Sequence, residues 1–315
     1  MNIQNWQCFE FLFNVGGLEG PVEVLPGHVV DRATPEEITV IREVLTNIRF
    51  TGSPAPWGAY ESSWVTTESP EGHKQFAPTP LPEGDWRYFV VRYKGANTHI
   101  SLLQRAFSLT AAEPEMLFTS ISENGTRCGF AMNPTRANHF LTQAMADTHL
   151  VQMTTADLNE VKELVIQLQK HDHEVLDLAA PLTEYAYLGG TDPAGRLRFL
   201  GHFAVLESLL SHEPKSSDPY DSVTRQVRGK MILVGNRSGR IDYTKYFGSL
   251  GPDKAWTKLY DYRSAIAHGA KADFTGKHEA LKSAANALSF VRHATRELLR
   301  FSLKEPALVH DLKWT

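Results

Sequence analysis

Pro252-Asp-Lys-Ala-Trp-Thr-Lys-Leu-Tyr-Asp-Tyr-Arg-Ser-Ala-Ile-Ala-His-Gly269 is the stretch on which the reading of the fold turns. A proline opens it and a glycine closes it, which is the asymmetry of helix ends: proline needs no N–H in the first turn, and glycine accepts the left-handed backbone that stops a helix. Inside it Trp256, Leu259, Arg263 and Ile266 follow one another at intervals of 3, 4 and 3, so all four share one helical face. That face is apolar except for Arg263. Upstream, a helix expected over roughly 194–211 is apolar nearly all round, as suits the centre of a bundle, and Leu200, Phe203, Glu207 and Leu210 repeat the same intervals. Glu207 and Arg263 therefore lie on inward lines of two helices. An unpaired buried charge costs several kcal/mol, so the pattern predicts a Glu207 to Arg263 contact. Such a bridge either fixes helix register or orients the guanidinium, leaving donors at the bundle edge for a phosphate.

Further outward the helical period continues. Thr154 or Thr155 caps a helix carrying Leu158, Val161, Leu164, Val165 and Leu168; another is expected over about 221–234, and a long one over about 276–302 with Leu281, Ala284, Leu288, Val291, Leu298 and Phe301 on one side. Five helices with short connections read as an all-α bundle over 154–305.

The first 150 residues read differently. Gln7 to Val15 and Trp86 to Lys94 are rich in aromatic and β-branched residues, and Leu117 to Met132 turns back around Glu123-Asn124-Gly125, a hairpin signal. One helix is expected there, with Thr34 as N-cap, Pro35 first, Glu36 and Glu37 in the first turn, and Ile38, Ile41, Val44, Leu45 and Ile48 at helical spacing. Pro70, Pro78, Pro80 and Pro82 mark an expected irregular loop between 68 and 85. Trp6, Trp57, Trp64 and Trp86 are read as core residues. The expected class is α+β: a β-rich mixed domain over 1–150, then an all-α domain over 151–315.

Composition narrows the function. Of 315 residues, 42% are hydrophobic and 22% charged, which excludes disordered and fibrous classes. The first twenty residues hold no Lys or Arg, and Glu10 breaks the apolar run from Phe9 to Val15, so no secretory signal, no membrane span and a cytosolic location are expected. Cys8 and Cys128 are too few for a disulfide framework or a thiolate zinc site. His171-Asp172-His173 lacks a further clustered ligand and reads as the polar tail of a helix, so no metal site is expected, and no cofactor. Neither a phosphate loop ending in Gly-Lys-Ser/Thr nor a Gly-x-Ser-x-Gly elbow occurs. Net charge is −4, yet Arg225, Arg228, Lys230, Arg237, Arg240 and Lys245 face a single acid, Asp242, between 225 and 245. A phosphate-binding surface is expected there, the alternative being a solvated basic face.

Five residues from Arg263 to His268 turn a helix by about 500°, leaving the two side chains ~140° apart, so one regular helix does not converge them. His268 shares the polar edge with Asp261 and Ser264 in the last turn, where the helix dipole favours a protonated ring; it reads either as a solvated capping histidine or as half of a site completed from elsewhere.

Phe203-Ala-Val-Leu-Glu-Ser-Leu-Leu210, followed some fifty residues later by Leu259-Tyr-Asp-Tyr-Arg-Ser-Ala-Ile-Ala-His-Gly269, resembles the Apea-like branch of the HEPN superfamily over roughly residues 155 to 305. The family's ribonuclease motif is Arg, four to six residues with a polar one usually first, then His, and Arg263, Ser264 and His268 match it; Ser264 departs from the Asn, Asp or His often found there. Arg92 to His99 and Arg196 to His202 also satisfy the spacing, but only Arg263 combines the Leu-Tyr lead-in, the polar neighbour, the terminal His-Gly and the upstream Leu-Glu-Ser-Leu-Leu helix. The resemblance implies a helical bundle and a metal-independent RNA endonuclease. It implies a homodimer whose composite site sets His268 beside Arg263, with Glu207 and Ser264 in support and Arg225 and Arg228 on backbone phosphates. A prokaryotic antiviral or toxin role is implied too, with residues 1 to 150 answering a trigger ligand or protein. The alternative is a catalytically silent HEPN module that binds RNA, a nucleotide or a protein partner.

Overall fold

The computed structural model describes residues 6–48, 58–68, 74–95, 99–132, 150–189, 191, 195–214 and 222–315. In chain order its elements are β1 (Trp6–Phe13), β2 (Val15–Leu18), β3 (Val22–Leu25), β4 (His28–Arg32), α1 (Pro35–Ile48), the single turn α2 (Gly58–Glu61), β5 (Ser62–Glu68), β6 (Lys74–Pro80), β7 (Phe89–Lys94), α3 (Ile100–Ser108), β8 (Glu115–Glu123), β9 (Thr126–Met132) and β10 (Val151–Met153). Helices follow: α4 (Thr155–Lys170), α5 (Ala179–Gly189), α6 (Arg196–Leu210), α7 (Val223–Ser238), α8 (Tyr243–Phe247), α9 (Pro252–Ala267), α10 (Ala284–Lys304) and α11 (Pro306–Trp314). The class is mixed α+β, β-rich first and helical after. Two compact units emerge, Met1–Ile166 and Gln167–Thr315. Among the described residues no helix is long and apolar enough to cross a membrane.

The first unit is built on a six-stranded antiparallel sheet of order β3-β4-β7-β1-β8-β9. Strand alternation sends Phe9, Phe11 and Phe13 of β1 to one face, where they pack with Val90, Phe118, Tyr60 and Tyr88 under Ile41, Val44 and Leu45 of α1. The other face carries Cys8, Glu10 and Leu12, which are buried as well. Thr34 and Glu37 form a reciprocal capping box at the start of α1: the Glu37 N–H donates to the Thr34 hydroxyl (3.3 Å), and the Thr34 N–H to the Glu37 carboxylate (2.7 Å). The hairpin between β8 and β9 turns on Asn124 and Gly125 at φ 52° and 78°, the two left-handed positions of a type I′ turn. β10 pairs in parallel with β2 and so belongs to this unit.

Two expectations change. The proline-rich stretch is no plain loop: β6 contains Pro78 and Pro80 and pairs with β5 in a two-stranded ribbon, where both strands are edges and a missing N–H on the outer side costs no ladder bond. Pro70 lies outside the described residues, as does Trp57 and the side chain of Trp64. The long C-terminal helix starts at Ala284 rather than near 276, because Lys282 adopts φ 66° and the Ser283 hydroxyl caps the Asn286 N–H (3.1 Å); Leu281 sits in a preceding 3-10 turn. In the second unit α6 is central, touching α5, α7, α9, α10 and α11, as its all-round apolar surface requires.

Candidate functional site

The Glu207 to Arg263 contact exists. Arg263 Nη2 donates to Glu207 Oε2 at 3.2 Å, joining α9 to α6. The stripe that positions Arg263 is intact, with Trp256, Leu259 and Ile266 buried, but the guanidinium is not sunk in the core: its side chain is 37% exposed against 20% for Glu207. A long side chain on an apolar line lays its stem on the core and carries its head to the rim. Arg263 Nε is covered and has no hydrogen-bond partner among the described residues, and the Tyr260 hydroxyl one turn earlier is covered too, beside the Glu207 carboxylate. Burial pushes the Glu207 carboxyl up, with Arg263 opposing; burial and then the Glu207 charge push the Tyr260 phenol up.

His268 is the C-cap of α9 and is exposed. Its N–H donates to the Ser264 carbonyl (3.1 Å); Gly269, at φ 72°, donates to the Ile266 carbonyl and Ala270 to that of Ala265, the paired bonds of a Schellman motif. The local sequence thus fixes the histidine backbone firmly, while its imidazole makes no hydrogen bond or ion pair with other described residues. Ser264 is exposed beside it. Within one chain the structure brings Arg263 to Glu207 and does not bring His268 to either.

The expected phosphate contacts divide. Arg225 is exposed in the first turn of α7, where its N–H bonds the Ser222 cap (3.4 Å). Arg228 is engaged: Nε meets Asp253 Oδ1 at 3.2 Å and Nη1 donates to Thr257 Oγ1 at 3.2 Å, tying α7 to the first turns of α9. Three more of the basic stretch are likewise drawn onto the bundle, with Arg237 on Glu305 (3.3 Å), Arg240 on Glu297 (3.9 Å) and Lys230 buried against the Lys313 carbonyl (3.4 Å), while Lys245 is exposed.

The other Arg–His spacings are placed differently. Arg92 is clamped by Asp31 (2.8 Å) and Glu37 (2.7 Å), and His99 is the N-cap residue of α3. His202 is buried with both ring nitrogens unpartnered among the described residues, while Arg196 is exposed; burial, then Arg198 and Arg292, hold the imidazole well below its ordinary range. His171 bonds the Leu176 carbonyl (2.7 Å) and His173 approaches Asp177 (3.8 Å). Among the described residues no group of three or more His, Cys, Asp or Glu is placed to hold a metal ion.

Sequence reading missed a second charge cluster. Glu297, buried on α10, receives Arg296 (3.3 Å), Arg300 (3.7 Å) and Arg240 (3.9 Å). Its signal was present: Arg292, Arg296, Arg300 and Lys304 recur every fourth residue and form one basic ridge. Comparison with protein-family models, with curated proteins and with solved structures found no match for this chain.

Proposed function

We propose that the helical unit is a HEPN-type, metal-independent RNA endonuclease whose site is assembled from two copies of the chain. One observation carries the reading: Glu207 holds the Arg263 guanidinium at 3.2 Å on the bundle rim, five residues before the exposed His268 at the end of the same helix. Because these side chains diverge on a single helix, a second copy supplies the missing half. In the resulting site His268 takes the proton of a ribose 2′-OH as that oxygen attacks the adjacent phosphorus. The bond to the 5′ oxygen breaks as that oxygen takes a proton from the imidazolium so formed, and a 2′,3′-cyclic phosphate and a 5′-OH end result. Imidazole suits this step because its ordinary pKa lies near working pH. The planar guanidinium suits it because two N–H groups meet two phosphate oxygens as charge builds. Ser264, exposed beside His268, and Arg225, exposed in the first turn of α7, are assigned to contacts with the RNA; Arg228, bound to Asp253, ties α7 to α9. The first unit answers a trigger ligand or protein, the setting is cytosolic, and the biological role is a toxin or antiviral effector.

A second reading is favoured by the divergence of Arg263 and His268 within one chain: a silent module that binds RNA, a nucleotide or a protein. The deciding experiment is incubation of the full chain with single-stranded RNA in EDTA, beside Arg263→Ala and His268→Ala. Cyclic-phosphate products from the parent, lost by at least about a hundredfold in both variants, support the enzyme. RNA binding without such products supports the silent module.

A further inference from the structure

Tyr260 stands one turn before Arg263 on α9, and Phe203 one turn before Glu207 on α6; the two pairs meet ring to ring and head to head. The Tyr260 ring approaches Phe203 edge-on at 4.9 Å and 80°, and Phe203 is flanked in turn by Phe199 at 5.1 Å and Trp256 at 6.3 Å. Trp256 is itself anchored, its indole N–H donating to the Tyr243 hydroxyl at 2.8 Å. The phenol is therefore built into the core, 7% exposed, with its ring held by the aromatic side chains it packs on.

Its hydroxyl is covered and meets no hydrogen-bond partner among the described residues. A covered hydroxyl left without an acceptor is destabilising, and phenylalanine would fill the same space without that penalty, so the oxygen calls for an acceptor. The charges that bear on the phenol are those of Glu207 and, opposing it, Arg263. Glu207 is the neighbour able to answer. Its Oε2 accepts a single bond, from Arg263 Nη2 at 3.2 Å, and a carboxylate has sites for several more. Arg263 Nε is likewise covered and unpartnered among the described residues, so two donors stand idle around one carboxylate.

We propose that Tyr260 is a positioning residue of the Arg263 site: its hydroxyl is the second donor to Glu207, and by fixing that carboxylate it sets the direction in which the guanidinium faces an RNA phosphate. The inference deepens the endonuclease reading above and rests on it for the phosphate. A carboxylate held by one bond swings about its side-chain torsions, and a guanidinium tied to it swings too. A second donor, on a ring that is packed in place, removes that freedom. The gain is in orientation at the reacting centre, so it falls on turnover more than on binding. Burial pushes the Glu207 carboxyl up, and Arg263 and then the Tyr260 hydroxyl pull it back, which favours the anion that the arginine needs.

Tyr260→Phe removes the oxygen alone and keeps the packed ring. In the full-length chain, isotope-labelled at the glutamate carboxyls, the Glu207 signal is the one lost in Glu207→Ala, and its titration midpoint is read by nuclear magnetic resonance. Tyr260→Phe is expected to raise that midpoint by at least about half a pH unit, because the bond removed favours the ionised form. Cleavage of single-stranded RNA in EDTA is followed in parallel, with each variant checked for an unchanged circular dichroism spectrum. Tyr260→Phe is expected to lower kcat about tenfold and to change KM by less than about twofold. The double variant is expected to lose no more than Glu207→Ala alone, since Tyr260 acts through that carboxylate. A midpoint that Tyr260→Phe leaves in place overturns the proposal, whether or not RNA is cut. So does a double variant in which the two losses multiply, as separate packing roles would. If the parent cuts no RNA, the endonuclease reading fails, while the titration still decides whether Tyr260 holds Glu207.

Discussion

Glu10 in the sheet unit and Glu297 in the helical unit are carboxylates of nearly equal burial, 2% and 4% exposed, held in opposite ways. Glu10 stands on the central strand β1, and its Oε1 accepts from the Tyr93 hydroxyl (3.0 Å) and from the Thr119 hydroxyl, with Cys8 on the same face. Among the described residues no cation pairs with it. Glu297 draws in Arg240, Arg296 and Arg300. The difference follows from the elements. A sheet interior offers neighbours fixed two residues apart on adjacent strands, so small hydroxyls reach the carboxylate and long cations do not. A helix offers positions at i−1 and i+3 and the end of a neighbouring helix, from which arginines reach inward with their stems on the core. In the sheet, burial favours the Glu10 acid in its neutral form.

Breaking the helical side of this comparison gives the largest expected effect. Glu297→Ala removes the anion from between the Arg296 and Arg300 side chains, which are 10% and 11% exposed. Loss of one partner from a buried ion cluster costs about 4 kcal/mol. Urea denaturation is the measurement, and a loss under about 1 kcal/mol would mean that the cluster contributes no more than a surface pair.

The sheet side is sharpened by pH. Burial pushes Glu10 up to about 7 from 4.5, with the Thr119 and Tyr93 hydroxyls pulling back. The folded state holds the proton more tightly than the unfolded chain, so the stabilisation is complete below pH 4.5 and is lost as pH rises through about 7. Over that window the loss is about 3 kcal/mol. Glu10→Gln keeps the shape and cannot ionise. Relative to the parent it is expected to gain stability progressively between pH 4.5 and 7 and to hold that gain above, as followed by denaturant midpoints at each pH. A difference that stays constant from pH 4 to 8 would show that folding leaves the proton affinity of Glu10 unchanged.

What the sequence disclosed and withheld follows the same division between local and distant causes. The capping box at Thr34, the Asn124-Gly125 turn and the Pro252 to Gly269 helix were legible because each depends on residues within a few positions of one another. Glu207 and Arg263 were legible despite being 56 apart, since an interrupted apolar stripe on each of two helices demands a counter-charge. Arg228 and Asp253 carried no such mark: their pairing is decided by how α7 crosses α9. β6 was hidden because proline punctuates most chains, and only an edge position makes it compatible with a strand. α5 was hidden by Pro181 in its first turn and by an apolar residue pattern without one clear face.

Glu37 combines the two ways of holding a carboxylate, and so supplies the smallest and most local test. One of its oxygens accepts from Arg92 Nε at 2.7 Å, while the other accepts both from Arg92 Nη2 (2.8 Å) and from the Thr34 N–H (2.7 Å), so a guanidinium and a helix cap share one side chain. Thr34→Ala deletes the reciprocal bond from the Glu37 N–H to the Thr34 hydroxyl and leaves the ion pair and the Thr34 backbone donor in place. If the cap acts by itself, stability falls by about 1 kcal/mol and the loss is the same at low and high salt, because the bond removed carries no charge. If the hydroxyl also holds Glu37 against Arg92, the loss is larger at low salt and shrinks as salt is added, because it then includes part of a screened ion pair. Denaturation midpoints of Thr34→Ala at two ionic strengths separate these outcomes. The salt-independent result is expected, since Arg92 binds both oxygens of Glu37 and Asp31 as well, which fixes the carboxylate without help from the threonine.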